Sequence, residues 1–359
     1  MKSRKLMISV ILPVKNGNMK LLKRAVSSIL EQTYKKYEIL LIDDGSHESF
    51  SKKLDILARN DSRIRLFHIK SSGVSYARNF AVTKARGDII TYLDGDDIIS
   101  PVCFEEAVSF FNDPEKGGSV DAVWGGTFYG NKDNIKKRIR SESGVPKTVE
   151  RLKEVAVKLT PGRIHKTRAE CIGTPFRFKN EGYINRGIAA RFIRKKAFND
   201  GLADFPLNIR MYEDTIWNLK MMDSGMNIYY VKSIWYYYYE NERSSSNRYN
   251  EHILRDLEEP LKIIDGILDL NDPEEYGAYT KFLMDSLRYV YKCKYGNPLW
   301  KPSFYTRIKF LKHIYNDRPW SEIADKRYLK AADRSDKIKA ILYRAGLLFL
   351  YWKLTWKTV

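Results

Sequence analysis

The sequence contains few cysteines and histidines, and none of them stands in a recognisable motif. The three cysteines in 359 residues are widely separated, so they indicate neither a disulfide framework nor a zinc site. The five histidines form no HxxxH or HExxH pair, and we assign them no role. These absences argue against a secreted disulfide scaffold and favour a reduced, intracellular setting.

Long apolar runs are also absent. A helix that crosses a bilayer needs roughly 20 apolar residues, and no run approaches that length, so we predict no transmembrane span. The N-terminal stretch "MKSRKLMISVILPVKNG" has a basic start, but its apolar run is short and ends at Pro13 without a small-residue cleavage site. It therefore favours a first strand over a signal peptide.

Positive charge, in contrast, is abundant. The chain has 63 Lys and Arg against 44 Asp and Glu, a formal charge of +19, which indicates an anionic partner: nucleic acid, anionic lipid or a phosphorylated substrate. Residues 301–359 hold 14 basic and 5 acidic side chains, a difference of +9, and an apolar block from Leu347 to Trp352. That block suits an anionic membrane surface, or else a helix packed on the catalytic domain or on another subunit.

The first 130 residues alternate short apolar runs with helical patterns, which predicts repeated βαβ units and a mainly parallel sheet. Helices are expected at residues 19–32, with Asn18 as a cap, and at 74–85. The expected strands cover residues 8–14, 37–45, 64–70, 88–94 and 120–130.

Beyond residue 130 the pattern changes. The charged stretch 131–150 is predicted to be a loop, and "WYYYY" at 235–239 either stacks sugars or forms a strand with alternate Tyr residues in the core. Helical patterns dominate after about residue 241, so we predict a catalytic domain over 1–245 and a helical, basic region over 246–359.

Polar clusters follow three of the predicted strands: "KNGN", "DDGS" and "DGDD". Ligands of parallel α/β sheets bind beyond the carboxyl ends of the strands, where these clusters lie. Asp, Gly and Ser are also ordinary turn residues. Three carboxylates within "DGDD" repel one another unless a cation is present. Asp94 and Asp96 stand at alternate positions, so we predict that both face one divalent ion shared with substrate phosphates.

Five stretches together resemble the nucleotide-binding half of the family 2 inverting glycosyltransferases with the GT-A fold. They are "ISVILPVKNG", "ILEQTY", "YEILLIDDGS", "GVSYARN" and "GDIITYLDGDD", in that order. With a looser similarity around "YEDTIWNLKMM", the resemblance covers residues 7–246. Lys15 is a departure, since such proteins commonly carry Tyr in "PVYN", and it affects one wall of the expected nucleotide pocket.

The resemblance implies an α/β fold, with a mainly parallel mixed sheet flanked by helices and a C-terminal helical region. It also implies a nucleotide site. Pro13 and Val14 surround the base, and Asp44, or else Asp43, accepts a hydrogen bond from a pyrimidine N–H. A carboxylate acceptor suits uracil, so the expected donor is a UDP-sugar.

The same resemblance implies which residues bind the diphosphate and its metal ion. Arg78 lies near the uracil or the diphosphate, where a planar guanidinium suits phosphate. Asp94 contacts the ribose or the metal, Asp96 holds Mg²⁺ or Mn²⁺ between the phosphates, and Arg243 contacts phosphate. The bound ion stabilises the charge that grows on the leaving group.

Glu213 and Asp214 begin a helical pattern in "MYEDTIWNLKMM". Acidic residues complement the dipole at the start of any helix. The resemblance aligns this pair with the general base, and we predict that Asp214 deprotonates the acceptor hydroxyl. A single displacement then inverts the anomeric configuration.

The predicted function is metal-dependent, inverting, non-processive sugar transfer to a hydroxyl of a cell-surface glycan. The basic C-terminus favours a lipid-linked acceptor and a peripheral position at the inner face of the plasma membrane, and leaves a homo-oligomer open. One alternative, a nucleic-acid-binding protein, is disfavoured because the sequence lacks its motifs and carboxylates line the predicted crevice. The other, a sugar-nucleotide pyrophosphorylase, is disfavoured because its Gly-rich first loop is missing.

Overall fold

The structure is a computed structural model that describes residues 5–113, 119–141, 146–159, 164–173, 187–239, 249–325, 327 and 334–355. The chain divides into two compact units. The first comprises Met1–Ile164 and Pro175–Glu240, and the second comprises His165–Thr174 and Asn241–Val359. The expected division at residues 245 and 246 stays a prediction, because residues 240–248 lie outside the described part.

The first unit is built on one sheet. Its described strands are β1 (Ile8–Val14), β2 (Tyr37–Asp44), β3 (Ile64–Ile69), β4 (Ile89–Tyr92), β5 (Ile98–Ile99), β6 (Ala122–Gly130), β7 (Ala156–Leu159), β8 (Arg191–Arg194) and β9 (Ile228–Tyr239). Their order is β3, β2, β1, β4, β8, β6, β9, β5, with β7 also paired to β9. Strands β1 to β4 are parallel, whereas β8 is antiparallel to both of its neighbours.

Helices connect these strands and cover the sheet. They are α1 (Met19–Leu30), α2 (Glu48–Arg59), α3 (Val74–Lys84), α4 (Cys103–Phe111), α5 (Lys132–Ser141), α6 (Val149–Glu154), α8 (Lys196–Asn199) and α9 (Glu213–Asp223), with α7 (Ile164–Gly173) between α6 and α8 along the chain. Asn18 caps α1 as predicted, since its Oδ1 accepts a hydrogen bond from Lys20 N at 2.9 Å. The expected α/β fold with a mixed sheet is confirmed.

The prediction for residues 131–150 is wrong, because most of this stretch is helical. Helix α5 occupies 132–141, and Thr148 caps α6 by accepting a hydrogen bond from Arg151 N. Helix α5 buries Ile135 and is otherwise largely exposed and charged. Its only apolar residues are Ile135 and Ile139, four positions apart, so the helical pattern is short and is outweighed in the sequence by the surrounding charge.

The expected alternation in "WYYYY" is also wrong. Trp235, Tyr236 and Tyr237 are all buried, because both faces of β9 are covered at this point. Trp235 Nε1 donates a hydrogen bond to buried Glu106 at 2.6 Å, and Tyr236 bonds to Asp97 on the other face. A strand buried on both faces reads as a continuous apolar run.

The second unit is helical in its described residues, as expected. After α7 it contains α10 (Ile253–Ile267), α11 (Pro273–Val290), α12 (Phe304–Asn316), α13 (Arg334–Arg344) and α14 (Leu348–Thr355). The rings of Tyr291, Tyr295 and Phe349 meet in its core. Within the described residues, no helix combines the length and hydropathy that crossing a bilayer requires.

The turn after β2 depends on Gly45. Its φ is +69°, and a Cβ at this position would lie 2.6 Å from Ser71 N. The missing side chain lets the loop at 71–73 approach β2 closely enough for the backbone N–H groups of Ser72 and Gly73 to reach Asp44.

We predict that Gly45→Ala lowers the free energy of unfolding by about 2–3 kcal/mol, because it adds a clash to an unfavourable φ. Gly201→Ala is the matched control, since Gly201 has φ +68° with nothing within 4 Å of its missing Cβ. The control is expected to cost about 1 kcal/mol. Chemical denaturation measures both variants, and equal losses would contradict the argument.

Candidate active site

The predicted site residues gather at one edge of the sheet. Strands β2, β1 and β4 are adjacent and parallel, so their carboxyl ends open onto the same side. Val14 ends β1 beside Pro13, and a Cβ on Gly95 would lie 3.2 Å from Val14 Cγ1. The end of β1 therefore contacts the turn that contains Asp94 and Asp96.

Asp43 and Asp44 point to different partners. Asp43 accepts hydrogen bonds from Ser46 N at 3.0 Å, Ser51 Oγ at 2.6 Å and His68 Nδ1 at 2.8 Å. Burial alone would raise the pKa of Asp43, but these bonds outweigh it and hold that pKa below its usual value. Asp43 therefore fixes the β2 turn.

Asp44 faces the loop that begins α3. Its Oδ1 accepts from Ser72 N at 2.6 Å and its Oδ2 from Gly73 N at 3.1 Å. Lys15 Nζ lies 3.9 Å from Asp44 Oδ2 and donates a hydrogen bond to Ser71 Oγ. Lys15, the departure from the family pattern, thus stands half-exposed beside Asp44, directly after β1.

The three carboxylates of "DGDD" have different surroundings. Asp97 is buried, and it accepts hydrogen bonds from Tyr236 Oη at 2.6 Å and Tyr239 N at 2.8 Å. It therefore anchors the turn to β9. Asp94 is half-buried, where it meets Arg78, and Asp96 is exposed, so these two carboxylates stay accessible from solvent.

Sequence reasoning missed Arg24, which braces this turn. Its Nη2 donates to the backbone carbonyl of Asp96 at 2.5 Å, and its guanidinium lies 4.4 Å from the centre of the Tyr239 ring. Arg24 belongs to α1 and to none of the recognised motifs, so no local pattern points to it. Arg243, the expected phosphate contact, lies outside the described residues.

Arg78 joins the two halves of the site. It is 3% exposed, and its Nη1 donates to Asp214 Oδ1 at 2.7 Å while its Nη2 donates to Asp94 Oδ1 at 3.3 Å. Glu213 Oε1 lies 3.6 Å from Nη1. Burial opposes the charge of Arg78, but the three carboxylates outweigh burial and raise its pKa.

Helix α9 is held where Glu213 and Asp214 meet Arg78. Tyr212 adopts a left-handed backbone, φ 63°, immediately before the helix. Phe205 stacks on Trp217 with ring centres 4.8 Å apart, and Asn79 exchanges two hydrogen bonds with the Phe205 backbone. "SYARN" therefore positions α9 twice, through Arg78 directly and through Asn79 by way of Phe205.

A second buried arginine holds the backbone of Asp214 in place through Asn218. Arg191 on β8 is fully buried, with its guanidinium 4.2 Å from the Trp124 ring, and its Nε donates to Asn218 Oδ1 at 3.1 Å. Asn218 donates in turn to the backbone carbonyl of Asp214 at 2.9 Å. Arg191 also lay outside every recognised motif.

The pKa values of both carboxyl groups at the start of α9 are raised by their surroundings. Burial raises the pKa of Asp214, and the cations Arg78 and Arg191 offset this only in part. Burial and the neighbouring Asp214 likewise raise the pKa of Glu213. A carboxylate whose pKa lies closer to neutrality is a stronger proton acceptor than an ordinary surface carboxylate.

The donor set near Asp94 and Asp96 fits a hard divalent cation. Desolvation and the charge of Asp94 raise the pKa of Asp96, so these groups repel one another and a cation between them would relieve that repulsion. Among the described residues no cluster of three or more His, Cys, Asp or Glu is arranged as a complete metal site. Further ligands would have to come from substrate oxygens and water, as is common for Mg²⁺.

Comparison with solved structures identifies the fold class. The crystal structure of S. aureus TarS residues 1–349 in complex with UDP-GlcNAc is similar, with a TM-score of 0.57 and 18% identity over 96% of this chain and 89% of that chain. The first unit, with its mixed, mainly parallel sheet flanked by helices, therefore has the GT-A fold.

Sequence comparison identifies the family. The family model "Glycosyl transferase family 2" matches residues 9–189, and the chain belongs to this family. EpsJ of Bacillus subtilis is 26% identical over 62% of this chain and 60% of its own length. The O-antigen biosynthesis glycosyltransferase WbnJ of Escherichia coli is 33% identical over 32% of this chain and 45% of its own length. The chain thus spans less than two thirds of these curated relatives.

We predict that Arg78→Lys lowers kcat at least about tenfold, because one ammonium cannot serve Asp94 and Asp214 together. Loss of the guanidinium also removes an interaction that lowers the pKa of Asp214. That pKa therefore rises further, and the acidic limb of the kcat/KM profile moves to higher pH.

Arg65→Lys is the matched control, because Arg65 forms a 2.6 Å ion pair with Glu38 away from the crevice. It is expected to leave the pH profile in place. A pH profile for Arg78→Lys that superimposes on that of the unaltered protein would rule out the coupling.

Proposed function

We propose that this protein transfers a sugar from a UDP-sugar to a hydroxyl of a cell-surface glycan, with inversion at the anomeric carbon. The observation that carries the proposal is the Arg78 bridge. One buried guanidinium holds Asp94, on the turn expected to bind the donor, and Asp214, the expected base. A donor bound at one end of this bridge would present its sugar near the other.

The nucleotide is proposed to bind between the ends of β1 and β2. Asp43 is engaged by three partners within the turn, whereas Asp44 accepts only from the backbone N–H groups of Ser72 and Gly73. A carboxylate offers about four lone-pair sites, so Asp44 is proposed to accept in addition from uracil N3–H. Pro13 and Val14 would line the base. Lys15, in place of Tyr, offers a cation at the mouth of this pocket, where it suits the anionic donor.

Asp214 is proposed to take the proton from the acceptor hydroxyl as that oxygen attacks. Arg78 keeps the carboxylate oriented through its Oδ1 and leaves Oδ2 to receive the proton. The hydrogen bond from Asn218 to the Asp214 carbonyl fixes the backbone. Because UDP leaves as a stabilised diphosphate, no protein acid needs to protonate it.

Asp94 and Asp96 would hold Mg²⁺ or Mn²⁺, which supplies Lewis-acid stabilisation of the charge on the leaving diphosphate. Asp97 is engaged by Tyr236 and Tyr239, so its role is to fix the turn rather than to bind the ion. Arg24 holds the Asp96 backbone from the other side.

The acceptor class rests on relatives and charge. WbnJ is described by its role in O-antigen biosynthesis, and the basic second unit suits an acceptor carried on lipid at the inner face of the plasma membrane. A screen of UDP-sugars that detects released UDP would identify the donor sugar.

Asp214→Asn is expected to reduce transfer by about 10²–10⁴-fold while UDP binding changes little, because the amide keeps the shape and loses the basicity. Glu213→Gln is the matched control and is expected to keep far more activity. Calorimetry with UDP and a transfer assay measure the two effects. Full turnover by Asp214→Asn, or the greater loss in Glu213→Gln, would refute the assignment.

Asp96→Asn is expected to weaken Mg²⁺- or Mn²⁺-dependent UDP binding at least about tenfold. Titration of UDP with the ion present and with a chelator separates the metal-dependent part. Glu48→Gln, an exposed change in the same unit, removes one negative charge away from the turn and should bind as before. UDP binding by the unaltered protein that ignores the chelator would refute the role of the ion.

A further inference from the structure

The last two described helices expose apolar side chains on one side. In α14 and the residue before it, the exposed positions 347, 350, 351 and 354 follow the i, i+3, i+4, i+7 spacing of a single helix face. In α13 the exposed apolar residues are three positions apart. The set, between 38% and 77% exposed, is Ile338, Ile341, Leu347, Leu350, Tyr351 and Leu354.

The opposite face of α14 is buried in the second unit. Leu348, Phe349 and Trp352 are at most 2% exposed, and the rings of Phe349 and Trp352 lie 5.7 and 5.5 Å from that of Tyr291. The apolar block Leu347 to Trp352 therefore serves two surfaces. Half of it forms the core, and half of it is exposed.

The exposed faces of α13 and α14 adjoin. Ile338 and Lys339 of α13 line the same surface hollow as Tyr351 of α14. The two helices are joined by only three residues, 345–347, so they form a hairpin. We call the six exposed apolar residues of this hairpin the apolar strip.

The strip is flanked by positive charge. Residues 334–355 contain five basic side chains and one acidic side chain. The acidic one, Asp336, is buried and accepts from Lys281 at 3.2 Å and from Lys339 at 2.8 Å. The exposed charges of the hairpin are all cationic: Arg334, Lys337, Arg344 and Lys353.

We propose that the apolar strip docks on an anionic lipid bilayer and lies in the headgroup region. Leu and Tyr side chains would enter the boundary with the acyl chains while the flanking cations meet lipid phosphates. At eight residues α14 is about 12 Å long, too short to span. A second copy fits less well, because a twofold interface would bring the same cations together.

Docking on a bilayer rests on the proposed function and extends it, because the membrane would bring a lipid-linked acceptor to the enzyme. Vesicle binding itself does not require catalysis, so vesicle binding and transfer to a soluble acceptor can fail independently. Failure to bind vesicles, with transfer to a soluble acceptor intact, would reject the docking surface and leave the proposed function standing.

Co-sedimentation with vesicles tests the proposal, using phosphatidylcholine alone and mixed in equal parts with phosphatidylglycerol. The full chain is expected to bind the mixed vesicles and to be released by salt. Leu350→Glu with Leu354→Glu should reduce binding at least about tenfold, because both exposed side chains would then oppose insertion. Lys337→Glu with Lys353→Glu keeps the strip and should remove the preference for phosphatidylglycerol.

Ile56→Glu is the matched control, since Ile56 is a 61%-exposed residue of α2 in the first unit and should not affect binding. Thermal unfolding verifies that every variant is folded. The proposal is overturned if the full chain does not bind mixed vesicles, or if the Leu350→Glu, Leu354→Glu variant binds them as well as the unaltered chain. Self-association abolished by that variant, without vesicle binding, would assign the strip to a second copy instead.

Discussion

The buried guanidinium of Arg78 is the interaction on which the rest of the site depends. A buried cation is costly unless it is paired and hydrogen-bonded, and Arg78 meets this condition only while Asp94 and the α9 carboxylates lie together. Removing one of these carboxylates leaves charge uncompensated within the crevice. The ion-pair cluster therefore fixes α9 against the turn after β4, although the two are separated by more than a hundred residues in the chain.

The surrounding structure supplies the rigidity that this cluster needs. Asp97 ties the turn to β9, and Arg24 holds the same turn from α1. On the other side, the Phe205 ring stacks on Trp217 of α9, and Asn79 holds the Phe205 backbone through two hydrogen bonds. These hydrogen bonds and the ring stack fix the turn and α9 from separate elements, so the carboxylates of the site keep their positions without substrate.

Much of this arrangement could be predicted from the sequence, because strand periodicity and turn residues are local signals. The βαβ order, the Asn18 cap and the grouping of "DDGS" with "DGDD" all follow from such signals. Arg24 and Arg191 could not be predicted, since each acts through partners far away in the chain. The exposed residues of α14 could not be told from its core residues in the sequence, because both kinds are apolar and lie within one block.

The charge of the crevice bears on why an ion is proposed at all. Asp94, Glu213 and Asp214 share one guanidinium, and Asp96 adds another carboxyl group. The proposed UDP-sugar would bring two further negative phosphates to this place. The chain is strongly cationic overall, yet long-range attraction is screened beyond about 10 Å and cannot offset repulsion between groups in contact. Burial is the larger cause of the raised pKa of Asp96 and of Glu213, and the neighbouring carboxylates Asp94 and Asp214 add to it before any donor is bound. A divalent cation at Asp94 and Asp96 would reverse the local sign, whereas the remote positive charge would serve to concentrate anionic partners around the protein.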